Sequence, residues 1–175
     1  MFLKRLALVL ALFAGGATLI PAGAQSADAQ QARLQRLFPS ATAFSPKGGD
    51  PPHVTAYRDG ASRTVLGYAV WTTEVVPLER GYGGPIPILV GIDTKGLLTG
   101  IVIGEHHEPY GDFSIDRAAF AAAFRAKDVR DPFRLGADID AVSRATITMS
   151  SAVRAIRNSA RRVARELIPP PGAAR

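Results

Sequence analysis

The sequence predicts an α+β fold in which an antiparallel sheet carries helices on its surface. Three observations predict it: paired apolar runs joined by Asp-Gly and Asp-Thr-Lys-Gly turns, Ala- and Phe-rich segments at helical spacing, and a long amphipathic stretch near the C-terminus. The 175 residues hold no internal repeat and suit one domain with one core.

The chain begins with Lys4 and Arg5, a mostly apolar run from Leu6 to Ile20, then Pro21 and Ala22-Gly23-Ala24. This is the grammar of a signal peptide over residues 1–24, cut before Gln25. The run of about fifteen residues is shorter than the roughly twenty that span a bilayer, which favours cleavage over anchoring. An uncleaved signal would leave a membrane anchor. The chain has no Cys, which excludes disulfides, thiol chemistry and iron–sulfur ligation. Loss of Lys4 and Arg5 from 21 basic residues leaves 19 against 15 acidic ones, a mature charge of +4. That mild excess, concentrated in one C-terminal helix without interleaved aromatics, does not describe a nucleic-acid binder.

Residues 25–52 read as an N-terminal helix and loop. Leu34, Leu37 and Phe38 share one helical face before Pro39, predicting a helix over Gln30–Phe38, and Pro46-Lys47-Gly48-Gly49-Asp50-Pro51-Pro52 permits no regular ladder. The domain proper is expected at 53–168. His53–Arg58 and Thr64–Val75, separated by Asp59-Gly60, form a first hairpin; Ile86–Ile92 and Leu97–Ile103, joined through Gly96, form a second. Phe120 and Phe124 stand four apart and predict a helix over Arg117–Lys127 that covers the sheet. Val129–Ala137 is a connecting loop. Val153, Ile156, Ala160, Val163 and Leu167 recur at threes and fours, so Ser150–Leu167 is a helix with one buried face, stopped by Pro169-Pro170-Pro171. Residues 169–175 are expected to be a disordered tail. Arg154, Arg157, Arg161 and Arg165 repeat opposite the apolar stripe. Such a face is either simply solvated or docks on anionic lipid or an acidic partner.

Just ahead of that helix stands Asp140-Ala-Val-Ser-Arg-Ala-Thr-Ile-Thr148. A helix start offers free backbone N–H groups and the positive end of the macrodipole, so a phosphate beside Thr146 is stabilised there. Equally, Ser143, Thr146 or Ser150 can serve as an ordinary N-cap. Asp140, Ser143, Ala145 and Thr146 resemble the flavinylation motif Asp-x-x-Ser/Thr-Gly-Ala-Thr of the FMN-binding domain family, and Arg144 stands where that motif has glycine. The resemblance extends over about residues 80–160. It includes Gly81-Tyr82-Gly83-Gly84, Val90-Gly91-Ile92-Asp93, Gly96 and His107-Glu108-Pro109, the last resembling the flavin domain of the nitrous-oxide respiration regulator. The family also includes flavin-carrying subunits of the sodium-pumping NADH:quinone reductase and Rnf complexes.

The resemblance implies an FMN-binding-domain fold, FMN as cofactor, and a phosphoester between FMN and Thr146 made by a periplasmic flavin transferase that takes FMN from FAD. Asp140 and Ser143 would then position or signal the acceptor. Arg144 removes the conformational freedom of glycine, yet its guanidinium would pair well with a phosphate. Thr148 is the neighbouring hydroxyl, and Tyr82, Gly83, Glu108 and Tyr110 are candidates to meet the ring. The implied role is an exported, periplasmic electron-transfer flavoprotein working with a membrane-bound redox partner; contact with the membrane surface is the outcome if the basic face docks on lipid and is not simply solvated. The alternative is a flavin-free regulatory or interaction module of the same fold. His53, His106, His107 and Glu108 lack zinc-type spacing. Nucleophile elbow, P-loop and Rossmann glycine fingerprints are absent from the sequence, so hydrolytic and nucleotide-phosphate chemistry have no support.

Overall fold

The computed structural model describes residues 22–169. The expected signal segment, up to residue 21, and the tail from residue 170 lie outside the described residues. The element order is α1 (Ala22–Leu37), β1 (Ala43–Phe44), β2 (Val54–Tyr57), β3 (Val65–Trp71), α2 (Thr72–Val75), β4 (Ile88–Asp93), β5 (Leu98–Ile103), α3 (Ala118–Ala122) and α4 (Thr146–Leu167). The five strands form one antiparallel sheet in chain order, β1-β2-β3-β4-β5. Among the described residues, no helix is long and apolar enough to cross a membrane.

Strand β4 explains the layering. Its residues are apolar on both faces because both are covered. Ile88, Val90 and Ile92 join Val70, Leu98 and Ile101 against Met149, Val153, Ile156, Ala160 and Val163 of α4. Leu89, with Val54, Ala56 and Ala69, packs on Leu34, Leu37 and Phe38 at the end of α1. A fully buried aliphatic side chain contributes about 1.5–3 kcal/mol, so the α4 face is the larger stabilising block. The turn into β5 needs a left-handed residue, and Gly96 supplies it at φ 87°.

Four boundaries differ from the sequence reading. Helix α1 begins at Ala22, well before Gln30, and so runs across the cleavage point expected before Gln25. The second strand ends at Trp71 because Thr72 leaves the ladder: its hydroxyl accepts from the Ile88 amide at 3.0 Å and donates to the Ile86 carbonyl at 3.1 Å. Helix α3 is one short turn and a half, not the eleven-residue helix of Arg117–Lys127, because the chain after Phe124 pairs with the sheet. There the Leu98 amide donates to the Lys127 carbonyl and the Ala126 amide to the Leu98 carbonyl, both at 2.8 Å. Phe120 and Phe124 are nonetheless both buried, edge to face at 5.1 Å. Helix α4 begins at Thr146, four residues earlier than Ser150, with the Met149 amide donating to the Ala145 carbonyl at 2.9 Å.

The arginines of α4 are not a uniformly free face. Arg154 pairs with Glu79 at 2.6 Å, and Arg161 donates to the carbonyls of Val129 and Asp131 at 3.1 and 2.9 Å. Arg162 reaches Asp50 at 2.7 Å and the Val75 carbonyl at 3.2 Å. These contacts tie α4 to the loops on either side, which is a structural use of charge that helical periodicity does not reveal.

Candidate functional site

Three segments meet at the start of α4: the glycine loop at 81–84, the His107-Glu108-Pro109 segment after β5, and the 140–148 motif. Glu108 joins them. It is 7% exposed, and its carboxylate accepts from the Gly83 amide at 2.8 Å, from the Tyr82 amide at 3.2 Å and from the Thr148 hydroxyl. A buried carboxylate with three donors is a satisfied one, and it fixes the loop against the helix. The loop can come this close only without side chains at its turns. A Cβ on Gly83 would lie 2.0 Å from the His107 carbonyl oxygen, and one on Gly81 2.3 Å from the Glu108 carboxylate.

The two threonines of the motif therefore differ. Thr148 is 2% exposed and its hydroxyl is committed to Glu108. Thr146 is exposed at the first position of α4. Residue 145 is the N-cap, and as alanine it makes no side-chain hydrogen bond to the first turn. The capping role open to Ser143, Thr146 or Ser150 is thus filled by none of them. The first-turn amides are left without a capping side chain, and a helix start of this kind stabilises an oxyanion.

Arg144 adopts φ 71°, the left-handed conformation that glycine takes without strain. The backbone the motif's glycine allows is kept although the residue is not glycine. Asp140, Ser143 and Arg144 are exposed along this loop, and Ala145 is buried beneath it. The Val142 amide donates to the Met149 sulfur at 3.3 Å, holding the loop onto the helix.

The candidate ring contacts divide. Tyr82 and Tyr110 face solvent, at 72% and 44% exposure, and Tyr110 leans on Phe113 at 5.4 Å between centroids. Glu108 faces inward and works as the latch, not as an exposed ring contact. The large hydrophobic side chains that are exposed among the described residues are Leu78, Tyr82, Tyr110, Phe113 and Ile147. Tyr82 and Ile147 belong to segments that meet at the start of α4, Tyr110 and Phe113 follow the His107-Glu108-Pro109 segment in the chain, and Leu78 precedes Glu79, which accepts from Ser151 and Arg154. Sequence reading missed Glu79, Phe113 and Ile147; nothing in the spacing of a lone glutamate signals a bond to a helix some seventy residues later. His106 is engaged by Asp116 at 2.9 Å and His53 by the Pro51 carbonyl at 2.8 Å, so these two imidazoles have local structural partners, while His107 is exposed. Two concave regions of the molecule, one beside β5 and one between the 93–97 turn and the end of α4, include none of the motif residues. Within the motif, Asp140, Ser143, Arg144 and Thr146 are exposed, whereas Ala145 and Thr148 are buried.

Residues 81–161 match the FMN-binding domain family. This segment is an FMN-binding domain. The match begins at the glycine loop and ends within α4, spanning all three segments that Glu108 joins, and it indicates FMN as the cofactor. The chain is also similar to the regulatory protein NosR of Stutzerimonas stutzeri, 26% identical over 149 residues. That alignment covers 79% of this chain and 20% of NosR, so the chain spans about a fifth of the length of that relative. The residues present fit FMN in kind: first-turn amides without a capping side chain for its phosphate, the exposed Thr146 hydroxyl beside them, and exposed Tyr82 and Ile147 on the adjoining segments for a flat ring.

Proposed function

We propose that this protein is an exported FMN carrier, with FMN attached through its phosphate to Thr146, that relays electrons in a membrane-associated redox chain. The observation that carries the reading is the contrast between an exposed Thr146 at an uncapped helix start and a Thr148 hydroxyl bound to Glu108. In the attachment step the Thr146 oxygen bonds to the flavin-side phosphorus of FAD, the diphosphate bond breaks, AMP leaves, and the hydroxyl proton passes to a base of the periplasmic transferase. The first-turn amides of α4 and the Arg144 guanidinium then neutralise the phosphodiester charge. Bound flavin supplies one- and two-electron redox chemistry, and the protein's share is to orient it and tune its surroundings.

The exposure of Thr146 supports a covalent tether, because an accessible hydroxyl can be reached by a transferase and a bond makes the local flavin concentration permanent. Export is supported by the Lys4-Arg5, Leu6–Ile20 and Ala22-Gly23-Ala24 sequence. The redox partner and any contact with the membrane surface are part of the proposal. With Arg154 and Arg161 tied down, Arg157 and Arg165 are the members of the expected basic face left for such a contact. The family match favours this reading over a flavin-free module.

The test is co-expression of the protein with a periplasmic flavin transferase. The mature mass should rise by one FMN less one water, and the band should fluoresce in a denaturing gel. Thr146→Ala should lose both signals; Thr148→Ala should keep them at reduced protein stability. A wild-type protein that stays unmodified beside a labelled positive control would refute covalent attachment.

A further inference from the structure

Strand β5 is an edge of the sheet, and its two halves are treated differently. Leu98 is covered, because residues 126–127 pair with it on the outer side. Beyond Leu98 the outer edge is paired with no other described segment. The Gly104 amide donates to the Pro87 carbonyl at 2.7 Å, toward β4, so by alternation Val102 also faces β4 while Ile101 and Ile103 present N–H and C=O outward. A groove of about 460 Å³ lies along this edge, bounded by α1 and α3. Its floor is Gly100–Ile103, four consecutive residues. Side chains of a strand alternate between faces, so a groove touching four in a row runs along the edge and not over a face.

Three arginines border it: Arg36, Arg117 and Arg125. All three are exposed, and none makes a side-chain hydrogen bond or ion pair with the described residues. The acidic member of the lining, Asp116, is engaged by His106. At the other end of the sheet β1 is only two residues long, the usual way an edge is kept from pairing. An open edge with unpaired cations is the opposite arrangement.

We propose that the Gly100–Ile103 edge is a docking groove for an extended, acidic peptide segment of a partner protein, which adds to the sheet as a sixth strand beside β5. Backbone pairing at Ile101 and Ile103 would supply roughly four hydrogen bonds, and Arg36, Arg117 and Arg125 select acidic side chains flanking that short register. A second copy of this chain is disfavoured as occupant, because symmetric β5-to-β5 pairing brings the same three arginines toward one another. The inference does not depend on flavin, and its site shares no residue with the motif at Thr146.

The experiment titrates mature protein with two fluorescein-labelled octapeptides, one alternating valine with glutamate and one alternating valine with lysine, read by anisotropy and by amide hydrogen exchange. The glutamate peptide should bind and protect the Ile101 and Ile103 amides, and the lysine peptide should not. The Arg36→Ser, Arg117→Ser, Arg125→Ser triple variant, all at exposed positions, should bind at least about tenfold more weakly. Ile103→Pro removes one outward donor while leaving the β4 ladder intact, and should abolish protection of Ile101. Circular dichroism confirms that each variant is folded. Absence of binding, equal binding of the two peptides, or protection of Ile101 and Ile103 that instead tracks protein dimerisation would each overturn the proposal.

Discussion

The first turn of α4 and the stretch that follows it belong to one helix yet obey different rules. From Ala152 to Val163 the inward positions are closed: Ala152, Ile156, Ala160 and Val163 are fully buried against the sheet. At the start, residue 144 holds a left-handed backbone without being glycine, the N-cap has no capping side chain, and Thr146 and Ile147 face solvent. The middle stabilises and the start does not. Local rules fail where a function needs open valences, and the failures here coincide with the segment that the FMN-binding family match covers.

That contrast can be broken most severely in the middle. Ile156→Asp places an unpaired charge at a site with no exposure, and should cost about 3–5 kcal/mol, enough to unfold a marginal domain. A urea midpoint within error of wild type would show that α4 does not carry the core. Next comes the latch. Glu108→Gln keeps the shape, but either orientation of its amide turns an NH2 toward a loop N–H, that of Gly83 or that of Tyr82, so a donor faces a donor. A loss of about 1–3 kcal/mol is expected, together with faster amide exchange at Tyr82 and Gly83.

Smaller effects sharpen the comparison. Arg144→Gly relieves left-handed strain of about 1 kcal/mol, offset in part by the greater chain entropy of unfolded glycine, for a net gain near 0.5 kcal/mol. The flavin-labelled fraction should hold or rise. A drop in stability would show that Arg144 makes a contact that outweighs its strain. The smallest effect lies at the far side of the molecule, where hydrogen bonds from the Arg130 side chain and amide hold the Asp128 carboxyl at about 2. A depressed folded value contributes stability above the unfolded value near 3.8, and that stability is lost as pH falls from about 4 toward 2. Asp128→Asn should flatten this part of a stability-versus-pH curve slightly, because the Arg130 partner is largely exposed.

Periodicity made the sheet and the buried stripe of α4 legible, since alternation and three-four spacing are consequences of burial that any core must show. Val153, Ile156, Ala160 and Val163 stand at that spacing, and all four are buried. Boundaries were less legible where tertiary bonds override local preference: Thr72 leaves β3 to serve Ile88, and Ala126 leaves a helix to serve Leu98. Within the site the motif was readable as a string, but its division of labour was not. That Glu108 is an internal latch and Thr148 its donor depends on three segments meeting in space. The short β1 and the open half of β5 left no pattern in the sequence, because an edge is defined by what fails to pair with it.

The account turns on which hydroxyl is free to take the flavin phosphate. Protein purified after co-expression with a periplasmic flavin transferase can be digested and its flavin-bearing peptide sequenced by tandem mass spectrometry. The account predicts a single phosphoester on Thr146, with Ser143 and Thr148 unmodified. A flavin located on Thr148, whose hydroxyl is bound to Glu108, or on Ser143 would contradict it.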